Sequence, residues 1–288
     1  MRFFGLVALT MIAFAANSVL NRMALAGGGI DAVAFGSIRL VAGAVMLGAL
    51  CVVLRGGLRL GGPGRVIGVA ALLVYIYGFS GAYEALDAGL GALVLFGMVQ
   101  ITMFAAALWG QEAVPLQRWV GALMAMAGLA WLLWPNDAQA VSLRHAGLMA
   151  AAGVAWGMYS LAGRRAVDAL QETAATFAIA AVIGVGPGLW IGEIGAGGAA
   201  VTGVALAVLA GAVTSGLGYA LWYSLLPRLA ASVAAVAQLT VPVIAMVGGM
   251  VVLGEGVSLR FALAAALVLG GVAVSVLGYR GKRISKGS

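Results

Sequence analysis

An all-α integral membrane protein, ten transmembrane helices forming a 5+5 inverted repeat around a central cavity, is the fold the sequence predicts, and three observations predict it. Of 288 residues, 64% are hydrophobic and only 9% charged, with a mean hydropathy of +1.11; an ordinary soluble domain carries roughly a quarter charged residues. Apolar stretches of about 20 residues, the length needed to cross a bilayer, recur along the whole chain. The second half of the chain also resembles the first. The composition rules out a soluble enzyme, a disordered chain and a collagen-like fibre. A single cysteine, Cys51, leaves no internal disulfide framework, and a single histidine, His145, leaves no histidine-cluster metal site. No cofactor or metal is called for. The net charge of +7 is read as lysine and arginine held on one side of a bilayer, not as a nucleic-acid surface.

The predicted spans cover residues 3–25, 32–54, 66–86, 89–109, 116–134, 146–163, 174–193, 202–224, 231–253 and 258–278. Turn residues separate them: Gly27-Gly28-Gly29, Gly61-Gly62-Pro63-Gly64, Pro135-Asn136-Asp137 and Gly195 to Gly198. Met1-Arg2 ahead of a run ending in Ala24-Leu25-Ala26 has the outline of a signal peptide. The run is long enough to span and has an internal counterpart, so it is read as the first helix. With a cytoplasmic N-terminus, Arg2, Arg55, Arg59, Arg65, Arg118, Arg164, Arg165, Arg228, Arg280, Lys282, Arg283 and Lys286 all fall on the cytoplasmic side, leaving Arg22, Arg144 and Arg260 outside and Arg39 within a span. Asp31, Glu84, Asp87, Asp137, Glu193 and Glu255 fall outside. This asymmetry obeys the positive-inside bias and places both termini in the cytoplasm of a bacterial inner membrane, with bilayer lipid as the surrounding partner.

The repeat is visible at a nearly constant offset. Phe14-Ala-Ala-Asn17 followed by Arg22-Met-Ala24 matches Trp156-Gly-Met-Tyr159 followed by Arg164-Arg-Ala166. Leu108-Trp-Gly-Gln-Glu112 matches Val251-Val-Leu-Gly-Glu255, and Tyr83-x-x-Leu86 matches Tyr223-x-x-Leu226 after a small length adjustment. The first repeat occupies 1–135, a connecting loop 136–145, the second repeat 146–279, and a basic tail 280–288. Five helices per half is an odd number, so the second half enters the bilayer from the opposite side. Inverted repeats of this kind characterise secondary transporters, whose substrate site lies near the midplane between the halves.

These features resemble the EamA-type repeats of the drug/metabolite transporter superfamily. The resemblance rests on the aromatic-small pairs of helices 1 and 6, Arg39 in helix 2, the Gly-Glu loops at Gly110-Gln-Glu112 and Gly254-Glu255, and Leu239-Thr-x-Pro242 in helix 9. One departure is Val99, which stands where the repeat would place a counterpart of Pro242. The resemblance implies ten helices, a central cavity and export or uptake of small metabolites by alternating access. By overall likeness the chain is most similar to bacterial exporters of aromatic and other amino acids.

Polar groups in hydrocarbon are costly and usually face the bundle interior or a wet cavity. Arg39 lies about 12 Å into helix 2. It is read as a carboxylate-recognition group, since guanidinium matches that geometry, as half of a fold-holding ion pair with an acid such as Glu84, or as a contact with backbone carbonyls. Asn17 and Asn21, one helical turn apart with Phe14 a turn earlier, are read either as substrate contacts or as polar glue between helices. Gln100 and Gln238 lie mid-span in paired helices and are expected to line the cavity. Tyr75, Tyr77, Phe79 and Trp156 are too central for an interfacial aromatic belt and are read as cavity walls suited to a flat apolar substrate, with Tyr83 and Tyr159 beside them; core packing is the competing reading. Gly186-Pro187 in helix 7 and Pro242 in helix 9 are hinge candidates, since proline removes a backbone donor. Gly216-Leu-Gly218 reads as close helix packing.

Glu112 and Glu255 are expected to anchor loops at helix N-termini, with Pro115 and Ser258 starting helices 5 and 10. No acid lies mid-span, so transport is expected to be facilitated or weakly coupled, with Glu84 the one plausible coupling acid. The leading expectation is a secondary transporter exporting small metabolites, foremost aromatic or apolar amino acids. A multidrug carrier would want buried acids, and a nucleotide-sugar carrier several buried cations. An intramembrane enzyme would want a nucleophile–base pair, a metal cluster or paired aspartates, and no HExxH, GxSxG or intramembrane aspartate pair occurs.

Overall fold

Apolar composition and the obligation to satisfy every backbone group internally leave only helices for the spans, and the computed structural model is built of helices. It describes residues 2–62, 64–110, 115–134, 141–163, 167–193, 197–225, 228–229 and 237–277, and no strand occurs among them. The helices are α1 Arg2–Ala26, α2 Ala32–Arg55, α3 Arg65–Ala82, α4 Ala88–Trp109, α5 Leu116–Leu133, α6 Leu143–Gly163 and α7 Ala169–Trp190. Next comes α8, a continuous rod made of Gly198–Leu209, Ala210–Leu217 and Gly218–Leu225. Then follow α9, made of Thr240–Gly248 and Gly249–Leu253, and α10, Leu259–Leu277.

Seven of these are long and apolar enough to cross a membrane: α1 to α5, α7 and α8. In the regions of the ninth and tenth predicted spans the described helices give shorter apolar stretches, Thr240–Leu253 and Leu259–Val274. The start of the ninth predicted span, Glu112 and Asp137 lie outside the described residues, as does the basic tail.

Local chemistry sets the boundaries. Asp31 caps α2, its carboxylate accepting from the Ala34 N–H at 2.7 Å. Asp168 caps α7 through the Leu170 and Gln171 N–H groups, which starts that helix five residues earlier than the predicted 174. Pro115 precedes α5, and Ser258 Oγ accepts from the Phe261 N–H at 3.1 Å at the start of α10, both as expected. Pro187 does not break α7, which runs on to Trp190. The glycines beside it serve close approach: a Cβ on Gly184 would meet Tyr77 Oη at 2.6 Å, and one on Gly188 would meet Ser37 Cβ at 2.6 Å. Pro242 lies just after a turn at Leu239 that separates helical residues 237–238 from Thr240–Gly248; lacking an N–H, it cannot donate to the carbonyl of Gln238 one turn back.

Two stretches of wider π-type turns were not anticipated. The one in α8, Ala210–Leu217, packs on α2 so closely that a Cβ on Gly211 would collide with the Arg39 carbonyl oxygen. The second closes α9 at Gly249–Leu253. Helix neighbours are α2 with α7 and α8, α5 with α10, α3 with α6 and α7, α4 with α6 and α9, and α1 with α8 and α9. Small residues at these contacts let backbones approach, as membrane helix packing requires.

Candidate functional site

Arg39 is the largest fully buried side chain described, with no exposed surface. Its Nε donates to Ser215 Oγ at 3.1 Å and its Nη2 to Tyr75 Oη at 3.2 Å. The guanidinium carbon sits 5.1 Å from the Phe79 ring centre and 5.4 Å from that of Tyr75, a cation–π arrangement. Nη1 has no hydrogen-bond partner among the described residues. No carboxylate lies within ion-pair distance of Arg39 among the described residues, so the ion-pair reading with Glu84 is overturned. Glu84 pairs with His145 at 3.8 Å in the turn after α3 and is 43% exposed.

Aromatic rings enclose this charge. Tyr75 lies 4.8 Å from Trp156 and 5.3 Å from Phe79; Trp156 lies 5.0 Å from Tyr219 and stacks on Tyr159 at 5.5 Å. Phe14 meets Trp156, Tyr219 and Trp222 edge-on, and Phe79 meets Tyr83. Tyr219 Oη donates to Tyr75 Oη at 3.3 Å. The cluster draws on α1, α2, α3, α6 and α8, and Phe79 and Tyr219 are each only 1% exposed. The centre is therefore filled by side chains and closed.

Asn17 and Asn21 extend the polar core as bridges between helices. Asn17 Oδ1 accepts from Thr214 Oγ1 at 2.6 Å and Ser215 Oγ at 3.4 Å; Asn21 Oδ1 accepts from Ser80 Oγ at 2.9 Å. Both hydroxyls on α8 come from its π-type stretch, where successive residues are turned less from one another than in an α-helix. Tyr83 is buried, and its hydroxyl donates to the Ala88 carbonyl. Tyr77 points elsewhere: its hydroxyl meets Ser37 Oγ and the Gly184 carbonyl at the α2–α7 contact. Gln100 and Gln238 are half-buried, and neither takes part in the contacts just described.

Thr214, Ser215, Tyr219, Trp222 and Phe14 were absent from the predicted site. The Thr214-Ser215 pair in an otherwise apolar span was the signal that could have found the first two. A lateral groove of about 590 Å³ lies elsewhere, lined by Ser37, Val41, Val45, Val185, Leu189 and Val208 on the outward side of α2, α7 and α8.

Both ends of the bundle are tied by ion pairs. At the Arg22 end, Arg22 of α1 reaches Glu255 at 3.4 Å and Asp87 at 3.6 Å, and donates to the Tyr83 and Glu84 carbonyls. Glu255 also accepts from the Ala88 N–H at 2.9 Å, so it anchors the start of α4, not that of α10 as expected. Burial pushes the Glu255 carboxyl above its ordinary value, with the Ala88 N–H and Arg22 opposing and Asp87 reinforcing. At the Arg65 end, Arg55 pairs with Asp168 at 2.6 Å and Arg65 with Glu172 at 2.8 Å, fastening the α2–α3 connection to the start of α7. Burial works to raise the Asp168 carboxyl, but the Arg55 hydrogen bond and the Gln171 N–H outweigh it and hold the group low.

Residues 144–277 match the EamA-like transporter family. An uncharacterized protein of Pseudomonas aeruginosa is 43% identical over 294 residues, an alignment covering 98% of this chain and 97% of that protein. A solved crystal structure, described only as that of a protein, aligns with a TM-score of 0.63 at 24% identity, covering 94% of this chain and 98% of that one; this likeness concerns the fold. The matched family model and the apolar helices point the same way: residues 144–277 belong to the EamA-like transporter family, membrane proteins that carry small molecules, which supports the drug/metabolite transporter superfamily for the chain.

Proposed function

We propose that this protein is a secondary transporter that exports small metabolites, foremost aromatic or apolar amino acids, by alternating access across a bacterial inner membrane, with both termini cytoplasmic. The observation that carries the reading is the closed aromatic cluster around Arg39, built jointly by α1, α2 and α3 from one half and α6 and α8 from the other. Arg39, Tyr75, Phe79, Trp156 and Tyr159, joined by Phe14 and Tyr219, form the substrate walls.

Ten spans in an inverted 5+5 repeat account for the pattern of neighbours. Exchanging the halves turns the α3–α6 contact into α8–α1 and the α4–α6 contact into α9–α1, while α2–α7, α5–α10 and α4–α9 map onto themselves. Phe14 and Trp156, equivalent positions in the repeat, touch at 6.4 Å. In this mechanism the ion pairs at one end part while those at the other hold, so the centre meets one face at a time. The rings fill the site when it is empty and turn aside to stack on a flat substrate. Gly186-Pro187 and Pro242 serve as hinges. The ion pairs described all lie at the ends, and no carboxylate relay links the two faces among the described residues, which favours facilitated or weakly coupled transport.

Flux into liposomes containing the purified protein tests the reading, across a panel of amino acids, cationic drugs and sugar nucleotides. Aromatic amino acids should move fastest, with a pH gradient changing the rate little. Flux confined to cationic drugs or sugar nucleotides would overturn the substrate assignment, and strong acceleration by the gradient would overturn facilitated transport.

A further inference from the structure

A buried guanidinium with two donors satisfied and one amino group left over specifies what is missing. In the guanidinium fork Nε and Nη2 share one edge, and Ser215 and Tyr75 occupy it. The other edge, carrying Nη1, has only donors to offer, and Nη1 has no acceptor among the described residues. Two anchored nitrogens and the rings of Phe79 and Tyr75 hold the plane fixed, so this free edge is already oriented. A carboxylate fills such an edge with paired, charge-assisted hydrogen bonds.

Among the described residues no carboxylate stands beside the cluster to receive an ammonium group. The carboxylates described all lie towards the ends of the bundle. The Asn17 carbonyl oxygen already accepts two hydroxyls, and that of Asn21 already accepts Ser80. Tyr75 Oη already accepts from both Arg39 and Tyr219.

We infer that Arg39 and its aromatic enclosure recognise organic monoanions, a carboxylate joined to a flat ring, and that an α-ammonium group contributes nothing to binding. The inference rests on the transporter reading and narrows it: desamino aromatic acids are substrates alongside the amino acids, and aromatic amines are not. A ring-bearing phosphate monoester shares the negative charge but brings a second charge that one arginine cannot neutralise.

The test uses the full-length protein in liposomes loaded for uptake of labelled phenylalanine, with 3-phenylpropionate, phenethylamine and phenyl phosphate as competitors. Binding is read in parallel from tryptophan fluorescence, with Trp156→Phe identifying the reporting residue. The acid should compete within about threefold of phenylalanine, and the amine should not compete. Arg39→Gln should weaken both carboxylates by at least about 30-fold, the cost of truncating one side of a buried charge pair, with Arg39→Lys recovering part of the loss. Ser215→Ala, a milder change at the anchored edge, should weaken the same ligands less and in the same order.

Competition by the amine equal to that by the acid overturns the inference, as does stronger competition by the phosphate ester, and these readings need no variant. Phenylalanine flux that survives Arg39→Gln unchanged also overturns it while leaving the transporter reading intact. Absence of binding and flux for every aromatic probe would overturn both.

Discussion

The middle of this molecule and its two ends handle positive charge in opposite ways. At the ends each of Arg22, Arg55 and Arg65 has a carboxylate, and Arg65 adds the Glu172 carbonyl and Thr176 Oγ1. Arg260, with no carboxylate partner among the described residues, donates to the carbonyls of Trp131 and Trp134 at the end of α5, where a cation suits the helix dipole. In the middle, Arg39 is met by two hydroxyls and two ring faces, and one amino group has no acceptor among the described residues. Compensated charge fastens helices together. Uncompensated charge in a dry interior is a standing cost of several kcal/mol, and a structural role would be served as well by a neutral residue. The difference teaches that the ends are fastenings, and it is what leads us to propose the middle as a socket.

The largest expected effect breaks that contrast from the middle. Arg39→Gln should abolish carboxylate transport while leaving the melting temperature unchanged or higher, because an unpaired buried charge is removed. Glu172→Gln, which strips the half-buried Arg65 of its partner, should do the reverse, lowering the melting temperature by about 2–4 °C per kcal/mol lost. Thermal unfolding in detergent, paired with flux, separates the two patterns. Next in size is Tyr75→Phe. It removes one acceptor from the guanidinium and one from Tyr219, and a hydrogen bond to a charged group is worth about 1.5–3 kcal/mol. Substrate KM should rise about tenfold or more with the enclosure otherwise intact.

The ends can be broken separately. Cys51 is buried beside Leu170 at the α2–α7 contact, near the Arg55–Asp168 pair. It is the chain's one cysteine, so it reports opening there without engineering. Asp168→Asn should speed its labelling by a soluble maleimide about two- to fivefold, the range set by a partly exposed pair worth up to about 1 kcal/mol. Unchanged labelling would mean that the pair does not hold this end.

Acidity should act on the two ends with opposite signs. Asp168 is held low in the closed structure, so its contribution is present above the ordinary aspartate value, about 3.9, and is lost as pH falls through the lowered one. Glu255 is raised by burial, so its contribution is present below the ordinary glutamate value and is lost as pH rises through the raised one. Arg55 and the first-turn N–H groups of α7 face Asp168; Arg22, Asp87 and the Ala88 N–H face Glu255. Hydrogen exchange at the Leu170 and Gln171 amides, corrected for intrinsic rate, should lose protection on acidification in the wild type and show no such dependence in Asp168→Asn. The smallest effect is expected from Glu84→Gln, which should change flux less than about twofold because its pair with His145 is well exposed.

Much of this was legible beforehand, and the failures have physical causes. Apolar run length and turn residues located the helices, because both are local properties. The proposed repeat sets Phe14 against Trp156, and the two rings meet edge-on. Tyr77 was misplaced although helical geometry forbade the choice: two residues from Tyr75 lies about 200° around the axis, whereas Phe79, four residues on, shares its face. The π-type stretch in α8 was not legible, because it accompanies the approach of Gly211 to the Arg39 backbone on another helix. Thr214 and Ser215 were missed with it. The role of Glu255 was half legible: loop anchoring was foreseen, but the helix end it caps, α4, is remote in sequence.

The most direct test of the socket is a thermal shift by 3-phenylpropionate, measured side by side on the wild type and Arg39→Gln. At a concentration 100 times its Kd, a ligand specific to the folded state stabilises by about 2.7 kcal/mol, and the wild type should melt several degrees higher in its presence. Arg39→Gln should melt at the same temperature with or without it. An equal shift in both proteins would show that the carboxylate is recognised without Arg39 and would contradict the account.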